Sequence, residues 1–300
     1  MSFGYQVLGF GGSGTAASTG NPFGIFGYGE GPTAVTNLVS ALGVVSSDVS
    51  GVGTARDALS ATEFGGDKGI FGWGYTPHTN LSMSNILSNT GVVAADVAYP
   101  GSSNARMRAG VAYGGDKGMY GYGYGNPNVN QNFINLISNV GVVAGDSSYV
   151  GTARRNLGGT EYGTDTGIFY NGTADPFTNV SNLVSNLGVV SSDVSGVGTA
   201  RGGCRGCQYG GDKGIFGFGS GPTNITNLVS NTGVISADVA GVGTARNSRA
   251  ATQYDGDKGI FGFGDPGTAV TNLVSNTGVV ATDTAGVGTG RASPAACSYG

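Results

Sequence analysis

Histidine occurs once in these 300 residues, at His78, and cysteine three times; charged side chains make up only 11% of the chain. A Ser-His-Asp or Cys-His nucleophile system would have to be built on His78, and no motif surrounds it. Cys204 and Cys207 form a single CxxC, half of what a four-ligand zinc site needs, and Cys297 has no obvious partner. The pair lacks the strand-to-helix context of a redox motif and reads as a local disulfide or as two free thiols. No metal or cofactor is expected. No apolar run approaches the roughly 20 residues of a membrane helix, so membrane insertion is not expected either. Net charge is −4 and the longest basic tract is Arg154-Arg155. Nucleic acid needs a clustered positive field, which excludes it as a partner. The opening MSFGYQVLGFGG lacks the basic start of a signal peptide.

Glycine, by contrast, fills 60 positions, and they fall at fixed phases. GGDKGIFGFG at Gly210–Gly219 recurs as Gly65–Gly74, Gly114–Gly123 and Asp255–Gly264, with looser copies at Gly20–Gly29 and Gly163–Gly172. Each is followed by a TNLVSNTGVV-like run and a GVGTAR-like segment. Asn37, Asn85, Asn135, Asn182, Asn227 and Asn272 hold equivalent places, 48, 50, 47, 45 and 45 residues apart. A period of this length marks a repeat architecture.

One unit can be read as two hairpins. A strand such as Ala251–Tyr254 leads into a Gly-Asp turn, and a strand such as Ile215–Gly219 follows. Period 2 puts Phe216 and Phe218 on one face and bare glycine on the other. The same split holds at Phe26/Tyr28, Phe71/Trp73, Tyr120/Tyr122 and Phe261/Phe263. An aromatic face opposite a glycine face suits sheets stacked against sheets, the rings of one lying on the backbone of another. Ile225–Ser230 and Val234–Val239 read as the second hairpin, joined by an Asn-Thr-Gly turn. Four short strands per unit, with no sustained helical stripe, make a propeller blade.

GTAR, an Ala-rich strand, a Gly-Asp turn and the I-F-G-F-G strand together resemble the kelch propeller repeat over residues 21–300. Gly-Phe-Gly stands where that family carries a hydrophobic pair, and the later Tyr and Trp are missing. The expectation is a single all-β, six-bladed β-propeller of four-stranded antiparallel blades. Ala295–Gly300 aligns with a first strand, while the first unit begins at its second strand. The C-terminal strand should therefore complete the first blade, closing the ring and removing exposed edges. Residues 1–20 lie outside the repeats and read as an attachment arm carrying Phe3, Tyr5, Val7, Leu8 and Phe10, or as a flexible tag.

Every unit carries an Asp (Asp48, Asp96, Asp146, Asp193, Asp238, Asp283) and an Arg (Arg56, Arg106, Arg154, Arg201, Arg246, Arg291). Present once per blade, they read as structure, with each Arg forked onto a carboxylate or onto carbonyls at a blade junction. Asp-Lys pairs such as Asp67-Lys68 read as solvated hairpin tips. What differs between units points instead to recognition. The loops of the second and third blades are longer and rich in Tyr, Asn and Ser, the chemistry of adaptable binding surfaces. Trp73, Tyr75, His78, Tyr99, Tyr122, Tyr124, Asn128 and Asn130 are the candidate binding residues. Outside the repeated Asp positions, Glu30, Asp57, Glu63, Glu161 and Asp175 are the main carboxylates available for paired acid chemistry.

The start MSFGYQVLGFG and the GDKGIFGFG, TNLVSNTGVV and GVGTAR repeats resemble glycine-rich structural and fibre proteins of marine tailed bacteriophages. That resemblance implies a non-enzymatic structural or adhesive protein on a virion surface: a tail fibre, tail-associated or capsid-decorating component. Its partners would be other virion proteins through the arm, and a host-surface glycan or protein through the loops. A soluble propeller lectin and a carbohydrate-active enzyme are the alternatives.

Overall fold

The computed structural model describes residues 20–99, 105–148, 151–247 and 249–300. The arm residues Phe3, Tyr5, Val7, Leu8 and Phe10, and the crossover residues 100–104 and Tyr149, lie outside them. Among the described residues the chain is all-β, without helices, and its main elements are six antiparallel sheets, one per repeat.

The fifth sheet shows the common plan. Its inner strand Arg205–Tyr209 pairs with the middle strand Lys213–Gly219, which pairs with the outer strand Thr223–Val229. The sixth sheet repeats this with Ala250–Tyr254, Lys258–Gly262 and Thr271–Val274, and the fourth with Gly158–Tyr162, Thr166–Tyr170 and Ser181–Val184. The second is built on Ser60–Phe64, Lys68–Gly72 and Met83–Leu87, the third on Ala109–Tyr113, Lys117–Gly125 and Val129–Ile137. In the first sheet Phe23–Gly29 and Thr33–Val39 take their inner strand from the far end of the chain: Ala295–Tyr299 pairs with Phe23–Gly29 from Gly27↔Ala295 to Phe23↔Tyr299.

Four strands per unit is more than most sheets have. Four of the six carry three strands; the second and third add two-residue edges, Val97–Ala98 and Ser147–Ser148. Side chains take over part of the outer ladder in the fifth sheet. Leu228 N donates to Ser236 Oγ at 2.9 Å, and Asn227 Nδ2 donates to Ser236 O at 3.2 Å. Ser and Asn side chains thereby replace main-chain rungs, leaving single bridges such as Thr226↔Val239 and Val229↔Ile235.

Inner strands pack on inner strands in sequence order. Ser60–Phe64 meets Ala109–Tyr113, and the contacts continue to Ala250–Tyr254, then Ala295–Tyr299, which packs back on Ser60–Phe64. The hairpin turns are bonded the same way. Gly65 N donates to Asp116 O, Gly114 N to Asp165 O, Gly163 N to Asp212 O and Gly210 N to Asp257 O. Asp255 N then donates to Pro22 O, and Gly300 N to Asp67 O.

Between sheets the cores are aromatic. The second ring of one sheet meets the first ring of the next: Tyr28–Phe71, Trp73–Tyr120, Tyr122–Phe169, Phe218–Phe261 and Phe263–Phe26, with centroids 4.8–5.2 Å apart. In the fourth sheet Tyr170 supplies the ring, 5.2 Å from Phe216. The glycine between the two aromatics is what admits the neighbour; a Cβ on Gly217 would lie 2.7 Å from Phe261 Cζ. Simple alternation does not place these rings, however. Tyr28, Trp73, Tyr122, Phe218 and Phe263 all have φ between 58° and 64°, and in the first, third and fifth sheets the register shifts there. The second aromatic is a bulge residue held left-handed, at a cost of about 1–2 kcal/mol.

Candidate functional site

The bulge frees a carbonyl, and the repeated arginine takes it. In the link to the fifth sheet, Arg201 donates through Nε to Phe218 O at 2.6 Å, through Nη2 to Asn227 Oδ1 at 2.6 Å and through Nη1 to Thr199 O at 3.1 Å. Asn227 Nδ2 donates in turn to Asp238 Oδ1 at 2.9 Å, and Asp238 Oδ2 accepts from Thr199 Oγ1 at 2.6 Å. The same clasp joins Arg56 to Trp73 O and Asn85, Arg154 to Asn171 O and Asn182, Arg246 to Phe263 O and Asn272, and Arg291 to Tyr28 O and Asn37. Asp48, Asp96, Asp193, Asp238 and Asp283 complete it through the threonine. The carboxylate stands 3.8–4.0 Å from the guanidinium in four of the five. Carbonyls and the Asn amide, not the Asp, are therefore the direct partners. Arg56, Arg154, Arg246 and Arg291 also lie over the second ring of the preceding sheet, at Tyr28, Tyr122, Phe218 and Phe263.

Arg106 does not belong to this set. Counted back from the hairpin glycine, Ala105 holds the place of Arg56, and it is fully buried. The guanidinium over Trp73 comes from Arg108, three residues on, with its Cζ 4.2 Å from the ring centroid. Arg108 donates to Tyr120 O and Phe133 O instead of to the bulge carbonyl. Its Nε and Nη1, and Oδ1 of Asn135, have no hydrogen-bond partner. Asn135 still donates to Asp146 at 2.9 Å.

Released from the clasp, Arg106 sits among the loops. Ala105–Arg106 pairs with the end of Lys117–Gly125, and the hairpin of Tyr75–Thr76 and Thr79–Asn80 stands opposite. The Arg106 Cζ lies 4.1 Å from the Tyr75 centroid and 5.5 Å from that of Tyr124. Arg155 covers Tyr124 at 4.6 Å. Tyr and Arg thus alternate in a stack of four, each contact contributing about 0.5–2 kcal/mol. Its two cations are treated differently. Arg155 is neutralised by a two-pronged bond to Asp175, at 2.8 and 3.0 Å, with Asn130 bonded to both residues. The hydrogen bonds from Arg155 hold the Asp175 carboxyl below the usual range. Among the described residues, the arginines with a carboxylate within 4 Å are Arg56, Arg154, Arg155, Arg201 and Arg246. Arg106 has none, and its Nε is unpartnered. It borders a cleft of about 430 Å³, walled by Tyr75, His78, Thr79, Asn80, Asn126 and Asn128. His78, at φ 80°, is fixed by a bond from its N to Tyr75 Oη.

The structure therefore brings together Tyr75, His78, Tyr124, Asn128 and Asn130 from the expected binding set. It removes Trp73 and Tyr122, which are 2% and 0% exposed and serve as core rings. Tyr99 stacks on Trp73 at 4.6 Å, half-buried. Their aromatic phase in the repeat is that of Phe218 and Phe263, which fixes them between sheets. Arg106 and Arg155 were not among the expected ligand-binding residues; the doubled arginine of Arg154-Arg155 and the odd register at Ala105-Arg106 were the available signals.

A second polar site lies between the inner strands. A cavity of about 70 Å³ takes wall residues from all six of them. It shares Glu63, Ala112, Glu161, Gln208 and Gln253 with a cavity of about 110 Å³ at the hairpin end. Glu63 and Glu161 hydrogen-bond each other here. Glu63 Oε1 also accepts from Ser298 N at 2.9 Å and Ser298 Oγ at 2.8 Å. Burial raises both carboxyls, and Glu63 helps push Glu161 up to about 8. Glycosidase carboxyls stand about 5–9.5 Å apart across a bound sugar; this touching pair has no such room, and Asp175 is elsewhere, tied to Arg155. Cys204, Cys207 and Cys297 are buried free thiols, so the CxxC is not a disulfide. No group of three or more His, Cys, Asp or Glu among the described residues forms a metal cluster. No protein-family model matches the chain, and no curated protein matches it.

Proposed function

We propose that the chain is a six-bladed β-propeller that works as a non-enzymatic recognition scaffold, using the loops of its second and third blades to bind an anionic group on a glycan or protein. Support for the ring comes from the cyclic order of inner-strand contacts and turn-to-turn hydrogen bonds, with the strand at residues 295–299 paired to that at residues 23–29. The observation that carries the binding reading is Arg106. It is a guanidinium clamped between two tyrosine rings, facing a polar cleft, with Asp57 near enough to feel its charge but no carboxylate within 4 Å. A planar cation fixed in this way is preorganised for a carboxylate or sulfate, and Asn and Thr around it suit sugar hydroxyls.

Placement on a bacteriophage particle, as a fibre, tail or decoration protein anchored by residues 1–20, rests on the sequence resemblance. The outer turns add a physical reason for protein partners: Leu42, Val92, Val140, Leu187, Val234 and Val279 are 63–81% exposed there. Exposed apolar side chains repeated around a rim suit contacts with neighbouring subunits. The test of the binding reading is an array of neutral, carboxylated and sulfated glycans, probed with the full chain and with Arg106→Gln. Saturable binding to acidic glycans that the variant loses supports it. Binding that is equal in both proteins, or confined to neutral glycans, overturns it.

A further inference from the structure

The pair Glu63–Glu161 is an expensive arrangement for a scaffold. Two half-buried carboxyls from non-adjacent sheets meet on the wall of the cavity at the hairpin end, and among the described residues no cation lies within 4 Å of either. Their compensation is one another and the two bonds from Ser298. Gln253 stands beside them, 7% exposed, its Nε2 donating to Ser298 Oγ at 3.0 Å. Its Oε1 is buried without a partner, on the wall of the cavity that the two glutamates share. A buried amide oxygen left unsatisfied costs about 1–3 kcal/mol, so it calls for an acceptor's complement.

We propose that this cavity is a divalent-cation site, with Glu63, Glu161 and Gln253 Oε1 as its protein ligands and calcium as the ion. The donors are all hard oxygens. The sulfurs of Cys207 and Cys297 pack against Gly259 and Gly69 of the neighbouring sheets, so the proposed ligand set holds no sulfur, which disfavours zinc. The cavity of about 110 Å³ leaves room for bound waters. Calcium takes 6–8 oxygens in flexible geometry, whereas magnesium demands a near-ideal octahedron. Both carboxyls bind the ion in their ionised form, any proton they carry leaving to solvent. Joining the second, fourth and sixth sheets at the inner strands, it would tie the scaffold together without touching the loop site.

Isothermal titration of the full chain with CaCl2, beside thermal unfolding with and without the metal, tests this. With only two carboxylates, a Kd on the order of 10⁻⁴–10⁻³ M is expected. The midpoint of unfolding should rise with calcium and rise less with magnesium. Glu63→Gln/Glu161→Gln keeps the shape and removes the charge; it should fold and show no saturable heat. Gln253→Ala should weaken binding by about tenfold, a loss comparable to that of a metal-site supporting group. No heat and no thermal shift with about 10 mM calcium, or an equal shift in the double variant, overturns the proposal.

Discussion

The link into the fifth sheet and the link into the third are built on the same plan and end differently. Arg201 is buried, with every arm bonded to Phe218 O, Asn227 or Thr199 O. In the link to the third sheet the register gives Ala105 that place, Arg108 fills the slot above Trp73, and Arg106 faces a cleft between two tyrosines. One residue of offset turns a structural cation into an available one. In this chain the repeated arginines hold the sheets together, and Arg106, which leaves the pattern, borders a cleft with its Nε unpartnered. The contrast can be broken from either side.

The largest effect belongs to the clasp. Arg201→Leu strands Phe218 O and Asn227 Oδ1 in the interior, two acceptors at about 1–3 kcal/mol each. Urea unfolding should show a loss of roughly 3 kcal/mol, and a loss under about 0.5 kcal/mol, the range of an ordinary surface change, would refute the clasp. Next comes repair of the irregular link. Arg108→Leu alone should destabilise, because it vacates the ring of Trp73. Adding Ala105→Arg supplies Nε and Nη2 donors for Tyr122 O and the unpartnered Asn135 Oδ1, and restores stability. If the double variant is no better than the single one, the register argument fails.

A smaller effect should appear in the pH profile. Glu161 is raised from its ordinary 4.5 to about 8, so over that window the folded state holds more protons than the unfolded chain. Stability should therefore fall as pH rises from about 5 to 8 in metal-free buffer, when Glu161 must ionise beside Glu63. In Glu161→Gln the decline should flatten, and the variant should melt above the parent at pH 8. A parallel decline in both proteins would place the pH dependence elsewhere.

Much of this was legible beforehand. The period of 45–50 residues yields six units, and the phase of the two termini yields the pairing of the C-terminal strand with the first sheet. The glycine-under-ring contact at Gly217 and Phe261 follows from alternation of large and small residues. The bulge does not, because I-F-G-F-G looks like regular strand; only the left-handed φ at Phe218 and its equivalents reveals it. Aligning the GVGTAR-like segments by their arginine puts Arg106 in the clasp set, whereas the hairpin glycines give the true register and put Ala105 there. Glu63 and Glu161 share one phase of the repeat with Gln208, Gln253 and Ser298, a clue to their convergence. Their contact still spans non-adjacent sheets, which no local pattern encodes.

The proposed ring of six sheets around one axis is tested most directly by a density map of the intact chain at about 4–5 Å, fine enough to separate strands spaced near 4.8 Å. The map should show six sheets in a ring, the strand at residues 295–299 lying beside residues 23–29. Five or seven sheets, an open arc, or a C-terminal strand away from the first sheet would contradict it.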